Sequence, residues 1–368
     1  MSNDIQILFT FLSIFLLIAV IGYILPNYLR KDLLFGIRIN EIESLKIKPK
    51  YIKHHFKQSY IMMTFMFFLI AIWLLHLYPR EAVGSTLVIF QIILFYLLLA
   101  IYNRKVLSIK IKIGSRINMD EMVVVDSKPR DKEFINRMKW FVPSFLLVLI
   151  HFVLVILLYE HIPEIISLKF GLFGNLIEET EKTWNAVLRL PVASLFIFMI
   201  FLLLRVVVKY SKQQFDSQFV EASRERLTVF QERWIAFFAV MLPILLIHNI
   251  VSSLIYLNIL ELESYMFFAI SFAVPMVFVV LTLILAVKTG QSGSKILTSM
   301  KGKRSNQKIY DDDKFWKLGL FYFNPNDPTI FIEKRMGIGW TINMANPIAV
   351  GGLIMFCAVI GILIKFVN

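Results

Sequence analysis

Five polar side chains interrupt long apolar stretches of this sequence: His76, Gln91, His151, His248 and Asn249. Imidazole and carboxamide groups set among aliphatic residues could line a ligand pocket, relay protons or, joined by His161 and Glu164, hold zinc. The spacing supports none of the established catalytic patterns. There is no His-Glu-x-x-His helix, no Gly-x-Ser-x-Gly elbow and no second cysteine to pair with Cys357, and Gly290–Lys295 has the wrong spacing for a phosphate-binding loop. No catalytic residue, metal site or cofactor is therefore expected. Polar groups inside apolar helices need partners, so the five serve either as hydrogen-bonding glue between helices or as the lining of a pocket open to one side. At ~1.5 Å per residue His151 lies ~16 Å and His248 ~21 Å along its stretch, towards the same side as His76 and Gln91.

Two acidic groups stand out in a chain with a net charge of +13. Glu160, Glu164, Glu178, Glu179 and Glu181 crowd the connection 159–185, opposed by Lys169 and Lys182. Asp311–Asp313 form a triplet, but consecutive residues of an extended chain point apart and cannot all converge on one ion, so a helix cap or salt bridges to nearby basic residues are expected instead.

The elements that must position these groups follow from composition. Of 368 residues 58% are hydrophobic and only 18% charged, with a mean hydropathy of +0.69, too apolar for a water-soluble surface. The apolar residues fall in eight runs near the length that crosses a hydrocarbon core of ~30 Å: 5–25, 60–77, 86–102, 140–158, 187–208, 234–257, 265–287 and 347–367. The predicted fold class is an all-α polytopic membrane protein, with small β-hairpins on its cytoplasmic side. Nearly all Lys and Arg follow runs one, three, five and seven, as in Arg30–Lys57, Arg104–Lys139, Lys209–Arg233 and Lys288–Arg335. That asymmetry places those connections in the cytoplasm and both termini outside. It also accounts for the positive charge without nucleic acid. The first run lacks a preceding base and a following small-residue cleavage site, so it is expected to stay as a helix. The division that results is a seven-helix region 1–287 with an outer cap 159–186, a linker 288–310, a cytoplasmic cassette 311–346 and a last helix 347–368. Trp140, Trp234 and Trp340 are expected as interfacial anchors, and Arg205 should snorkel to the headgroups.

Between the spans, Ile109, Ile111 and Ile113 alternate with Ser108, Lys110 and Lys112, which with Met122–Val125 predicts one hairpin. Lys317–Phe323 and Thr329–Lys334 flank the turn-forming Asn324–Pro328 and predict a second. The Gly- and Ser-rich 288–308 stretch reads as a mobile linker, and Pro243 and Pro275 could kink their helices.

Within 311–345, the residues Asp311-Asp312-Asp313, Trp316-Lys317, Gly319, Asn324-Pro325, Asp327-Pro328, Lys334-Arg335, Gly337, Gly339-Trp340-Thr341 and Asn343 resemble a short domain of unknown function found towards the C-terminus of membrane proteins of Gram-positive bacteria. Tyr159, Ile162-Pro163-Glu164, Ile166, Phe170, Gly174 and Lys182 look like an extracytoplasmic cassette of a second uncharacterised family, in degenerate form: Ser167, Lys169 and Gly171 replace its second Pro, its His and its Asn. That cassette also occurs in immunity and signal-receptor proteins that protect cells from a secreted peptide. The resemblances imply a bacterial plasma-membrane protein, non-enzymatic, of immunity or receptor type. Its partners would be the lipid bilayer, an extracellular peptide or amphiphile and a cytoplasmic protein. The alternatives are a permease built on the five polar residues and, third, an intramembrane metalloenzyme.

Overall fold

The structure, a computed structural model, describes residues 3–28, 33–39, 41–113, 137–170, 176–211, 220–290, 293–296, 312–337 and 339–367. Among them are α1 (Asn3–Tyr28), the paired strands β1 (Leu33–Leu34) and β2 (Ile37–Arg38), α2 (Glu41–Ile47), α3 (Pro49–Leu77) and α4 (Glu81–Lys112). Then follow α5 (Val142–Leu157), the hairpin β3 (Ile165–Phe170) and β4 (Leu176–Glu181), α6 (Trp184–Tyr210), α7 (Val220–Tyr256) and α8 (Ser264–Thr289). The last elements are β5 (Trp316–Lys317), β6 (Phe321–Tyr322), β7 (Phe331–Glu333), β8 (Trp340–Ile342) and α9 (Pro347–Val367). Among the described residues seven helices are long and apolar enough to cross a membrane, as suits a multi-pass membrane protein. The eighth predicted run is the apolar helix α9, 21 residues long, whose described side chains end at Ile362.

Packing divides the chain into two units, one of Met1–Val125, Ser211–Leu227 and Val287–Val350, the other of Asp126–Tyr210, Thr228–Ala286 and Gly351–Asn368. In the first, Phe11 and Phe15 of α1 bury against Ala71 and Leu75 of α3 and Leu87 of α4. A second core gathers Phe56 and Tyr60 of α3, Leu99, Tyr102 and Val106 of α4, and Leu34, Phe35 and Ile37 of the β1–β2 hairpin. Helix α3 begins well ahead of its predicted apolar run because Ile52, Phe56 and Tyr60 recur every four residues and bury one stripe, while Lys50, Lys53 and Lys57 occupy other faces.

The β1–β2 hairpin was hidden within a basic connection of the sequence. Its turn places Phe35 at φ 47° and Gly36 at φ 80°, the two left-handed positions that a two-residue hairpin turn demands. Gly36 is required for a further reason. A Cβ there would come within 2.9 Å of the Gly319 Cα, itself a left-handed glycine at φ 68°, so the turn presses backbone to backbone against the 311–346 cassette.

Three expectations are corrected. Leu107–Ile113 is no strand: α4 runs through to Lys112. The short alternation of isoleucines also satisfies a helical stripe, in which Leu99, Tyr102, Val106 and Lys110 are buried in succession. Its supposed partner, Met122–Val125, lies outside the described residues, as does most of the 288–308 linker. Second, Lys317–Phe323 does not pair with Thr329–Lys334. The left-handed Leu318 and Gly319 fold the first run on itself, Trp316 opposite Tyr322, while β7 pairs with β8, Phe331 opposite Ile342. One parallel bridge, Tyr322 to Asn343, joins the two small hairpins. Third, Trp234 and Arg205 are turned inward among the helices rather than outward. Trp234 packs among Phe230, Phe237 and Phe238, and Arg205 is 2% exposed with its guanidinium over the Phe141 ring.

Candidate functional site

A buried cluster of charged side chains joins the cassette to the β1–β2 hairpin and the end of α4. Asp312 and Asp313 enter a single helical turn, Asp313–Phe315, and this turn, unlike the extended chain assumed for the triplet, brings their carboxylates together. Arg335 grips both, Nη2 on Asp312 and Nη1 on Asp313, and its Nη1 also donates to the Gly36 carbonyl at 2.8 Å. Arg38 Nε meets Asp312 at 2.9 Å and the Arg38 backbone N–H donates to Asp313 at 3.1 Å. Lys110, at the end of α4, holds the other oxygen of Asp313 at 2.9 Å. The Trp316 indole donates to Asp312 at 3.3 Å and lies under the Arg335 guanidinium. Asp312 and Asp313 are therefore salt-bridge partners of residues 274 and 203 positions away; Asp311 and the basic residues of the linker from Lys301 to Lys308 lie outside the described residues.

Burial alone would raise the Asp312 pKa, but the Arg335 and Arg38 guanidiniums, backed by a backbone hydrogen bond and the Trp316 indole, overcome it and hold the pKa down at about 2. The folded value lies below the ordinary 3.8, so its contribution to stability is complete above that value and is lost as pH falls through 2. By linkage the loss should be about 2 kcal/mol. Following Trp316 fluorescence in detergent solution through acidification should show the cassette loosening below pH 4, and Asp312→Asn should flatten that part of the profile. An identical acid profile in Asp312→Asn would rule out this carboxylate as the titrating group.

Behind the ion cluster the cassette is held by a second network. Tyr322 Oη donates to Asp327 at 2.9 Å and accepts from Asn324 Nδ2 at 3.1 Å; burial and then the Asp327 carboxylate push its phenol pKa upward. Asn343, completely buried, bridges Asn324, Asp327 and Ala345. Of the cassette residues singled out in the sequence, Trp316, Gly319 and Arg335 take part in this junction. Gly337 and Gly339 lie left-handed in the β7–β8 connection, where Trp340 pairs with Glu333. Lys317 is exposed, and burial lowers the pKa of Lys334. Arg38, Lys110, Asn103, whose amide donates to the Phe35 carbonyl at 2.7 Å, and Asn343's hub role were not foreseen.

The acidic connection forms the β3–β4 hairpin; its Gly171 and Gly174 lie outside the described residues. β3 is docked: Ile166 packs with Val155, Val187 and Leu257, Ser167 donates to Asn258 at 2.7 Å, and Arg189 reaches the Leu168 carbonyl at 3.0 Å. Phe170 packs on Tyr256 and Phe267. β4 is solvent-facing, with Glu178, Glu179 and Glu181 exposed. Glu160 and Glu164 are exposed nearby, Lys182 bonding the Ile162 carbonyl and lying 3.5 Å from Glu164.

The five polar span residues do not form one site. His76 is exposed and Gln91 donates to the Phe15 carbonyl at 3.1 Å, both in the first unit. His151 and Asn249 belong to the second, where they meet at Ser194, a residue not singled out in the sequence. Asn249 Nδ2 donates to Ser194 Oγ at 2.7 Å and to the Leu190 carbonyl at 2.9 Å. The serine hydroxyl thus accepts from Asn249 and shares a second hydrogen bond with His151 Nδ1, 2.8 Å away. A nucleophile's helper would orient the base; here the carboxamide holds the serine, and serine and histidine are fully buried. This arrangement ties α5, α6 and α7 together. His248 is half-buried beside it in sequence, its Nδ1 without a hydrogen bond among the described residues. No group of three or more His, Cys, Asp or Glu among the described residues could hold a metal ion.

Helices of membrane-spanning length with a small β cassette packed at the end of α4 suit a multi-pass membrane protein. The chain is similar over residues 325–350 to a family of unknown function (DUF5808), the stretch that contains β7, Arg335, β8, Asn343 and the first turn of α9. No curated protein and no solved structure matches the chain.

Proposed function

We propose that this protein is a non-enzymatic receptor- or immunity-type protein of the bacterial plasma membrane that captures a cationic, extended peptide at the β3–β4 hairpin. The observation that carries the reading is the asymmetry of that hairpin. β3 is anchored on three helices, whereas β4 exposes Glu178, Glu179 and Glu181 and has no further strand beside it among the described residues. An unpaired edge lined by carboxylates can add a peptide strand through backbone hydrogen bonds and select basic side chains through charge. Exposed Ile165 and Leu176 give an amphipathic peptide an apolar contact as well. The basic-residue asymmetry supports a hairpin facing outward and a cassette facing the cytoplasm.

Binding of a labelled cationic amphipathic peptide to the full chain in nanodiscs tests the reading. Joint Glu178→Gln, Glu179→Gln and Glu181→Gln should weaken binding about tenfold or more, and salt should do the same to the unaltered protein, because exposed charges are screened beyond ~8 Å at physiological ionic strength. In intact cells, Glu178→Cys in a chain lacking Cys357 should react with a membrane-impermeant thiol reagent and Lys317→Cys should not. Binding indifferent to the three substitutions would discard capture at β4, and the reverse labelling would discard the orientation.

A further inference from the structure

The cassette carries one face that the ion cluster and the Asn343 network leave unused. In β6 the Tyr322 side chain points inward, 3% exposed against Trp316 and Ile332, so its neighbours Phe321 and Phe323 point the other way, 47% and 46% exposed. Lys317 stands opposite Phe321 in the β5–β6 register and shares that outer face, with exposed Lys314 over the Phe315 ring at its margin. Two phenyl rings beside ammonium groups are costly to leave in water.

The position of the face identifies what covers it. The Tyr322 carbonyl accepts from the Met344 N–H at 2.9 Å, and α9 starts at Pro347. Three residues of chain span at most about 10 Å, comparable with the headgroup layer that flanks a hydrocarbon core. The connection is also stiff. Asn346 caps α9 by accepting from Ile348 and Ala349, and its Nδ2 donates to the Pro328 carbonyl at 2.8 Å. The cassette therefore cannot swing far from the point where the apolar helix begins.

We propose that Lys317, Phe321 and Phe323 form a membrane-surface anchor that binds anionic lipid headgroups, with the two phenyl rings at the headgroup level and the lysine on a phosphate. Aromatic rings favour this depth, and a basic side chain beside an anionic leaflet is attracted to it. The anchor is independent of the peptide-capturing hairpin, which lies in the other unit.

The test places an environment-sensitive fluorophore at Phe323→Cys, in a chain lacking Cys357, reconstituted into phosphatidylcholine vesicles with and without phosphatidylglycerol. Lipids spin-labelled in the headgroup region should quench the probe at 323 and aqueous iodide should not, and quenching by lipid should increase when phosphatidylglycerol is present. Lys317→Glu should reduce the preference for phosphatidylglycerol about fivefold, the effect of roughly one basic residue at an anionic surface, without changing Trp316 fluorescence, which reports an intact cassette. Quenching at 323 by aqueous iodide and not by labelled lipid would overturn the anchor and leave the face to a soluble protein. Equal quenching in both vesicle types with no effect of Lys317→Glu would overturn the anionic preference.

Discussion

Arg335→Ala should destabilise the first unit by about 3–5 kcal/mol, because it removes the one cation that binds both buried carboxylates and leaves each with an unfilled acceptor in a low-dielectric site. Arg335 is 3% exposed and holds Asp312, Asp313 and the Gly36 carbonyl at once, so its loss takes one donor from each of two carboxylates and one carbonyl. The cluster is also what joins β1–β2, the end of α4 and the cassette. Intrinsic-fluorescence melting in detergent should fall by roughly 6 °C or more, with trypsin gaining access to Lys314 and Lys317 before the rest of the chain. A compound variant, Arg335→Met with Asp312→Asn and Asp313→Asn, should be at least as destabilised as Arg335→Ala, since it also leaves Arg38 and Lys110 buried without the carboxylates that they bind. If Arg335→Ala melted like the unaltered chain, the cluster would be a surface ornament and the cassette would be held by the Gly36–Gly319 contact alone.

What the sequence concealed here was distance. Arg38 and Asp312 are 274 residues apart and Lys110 and Asp313 are 203 apart, and no periodicity connects them. The apolar helices were legible because the hydrocarbon length imposes a pattern that each segment carries within itself. The acidic hairpin was legible as a charge anomaly, although its strands were not, because Ile165–Phe170 is held by tertiary contacts to Asn258 and Arg189 rather than by its own alternation. Leu33–Ile39 passed for part of a basic loop, yet Phe35-Gly36 between paired apolar residues is the local signature of a tight hairpin. Short runs deceived in both directions. Ile109–Ile113 fits a period of two, but the helix that enters from Leu99 and Tyr102 continues through it, since elongation costs far less than starting a new element. His151 and Asn249 were visible as polar intrusions, whereas their common partner Ser194 was not, because a serine in an apolar helix gives no signal until its neighbour is known.

The cassette's own stability should depend most on Asn343. Its side chain is fully buried and makes four hydrogen bonds: Oδ1 accepts from the Asn324 and Ala345 N–H groups, each at 3.1 Å, and Nδ2 donates to the Asn324 and Asp327 carbonyls at 2.9 and 2.8 Å. The carboxamide thus does for the Asn324–Pro328 turn what a paired strand would otherwise do, and it fixes the turn against β8 and the entry to α9. Asn343→Ala would leave two donors and two acceptors buried without partners, each worth about 1–3 kcal/mol. Local relaxation will recover part of that, so the expected loss is about 3 kcal/mol or more. Asn343→Asp is the sharper variant, because it preserves size and the two acceptor bonds but points a carboxylate oxygen at two carbonyls. It should therefore be at least as damaging as alanine, which mere loss of packing would not produce. Hydrogen exchange of the full chain in nanodiscs should show the amides of Asn324, Asp327 and Met344 losing protection in both variants, while those of α3 and α4 remain slow. Protection retained in Asn343→Asp would mean that the turn is held by its strands and not by this side chain.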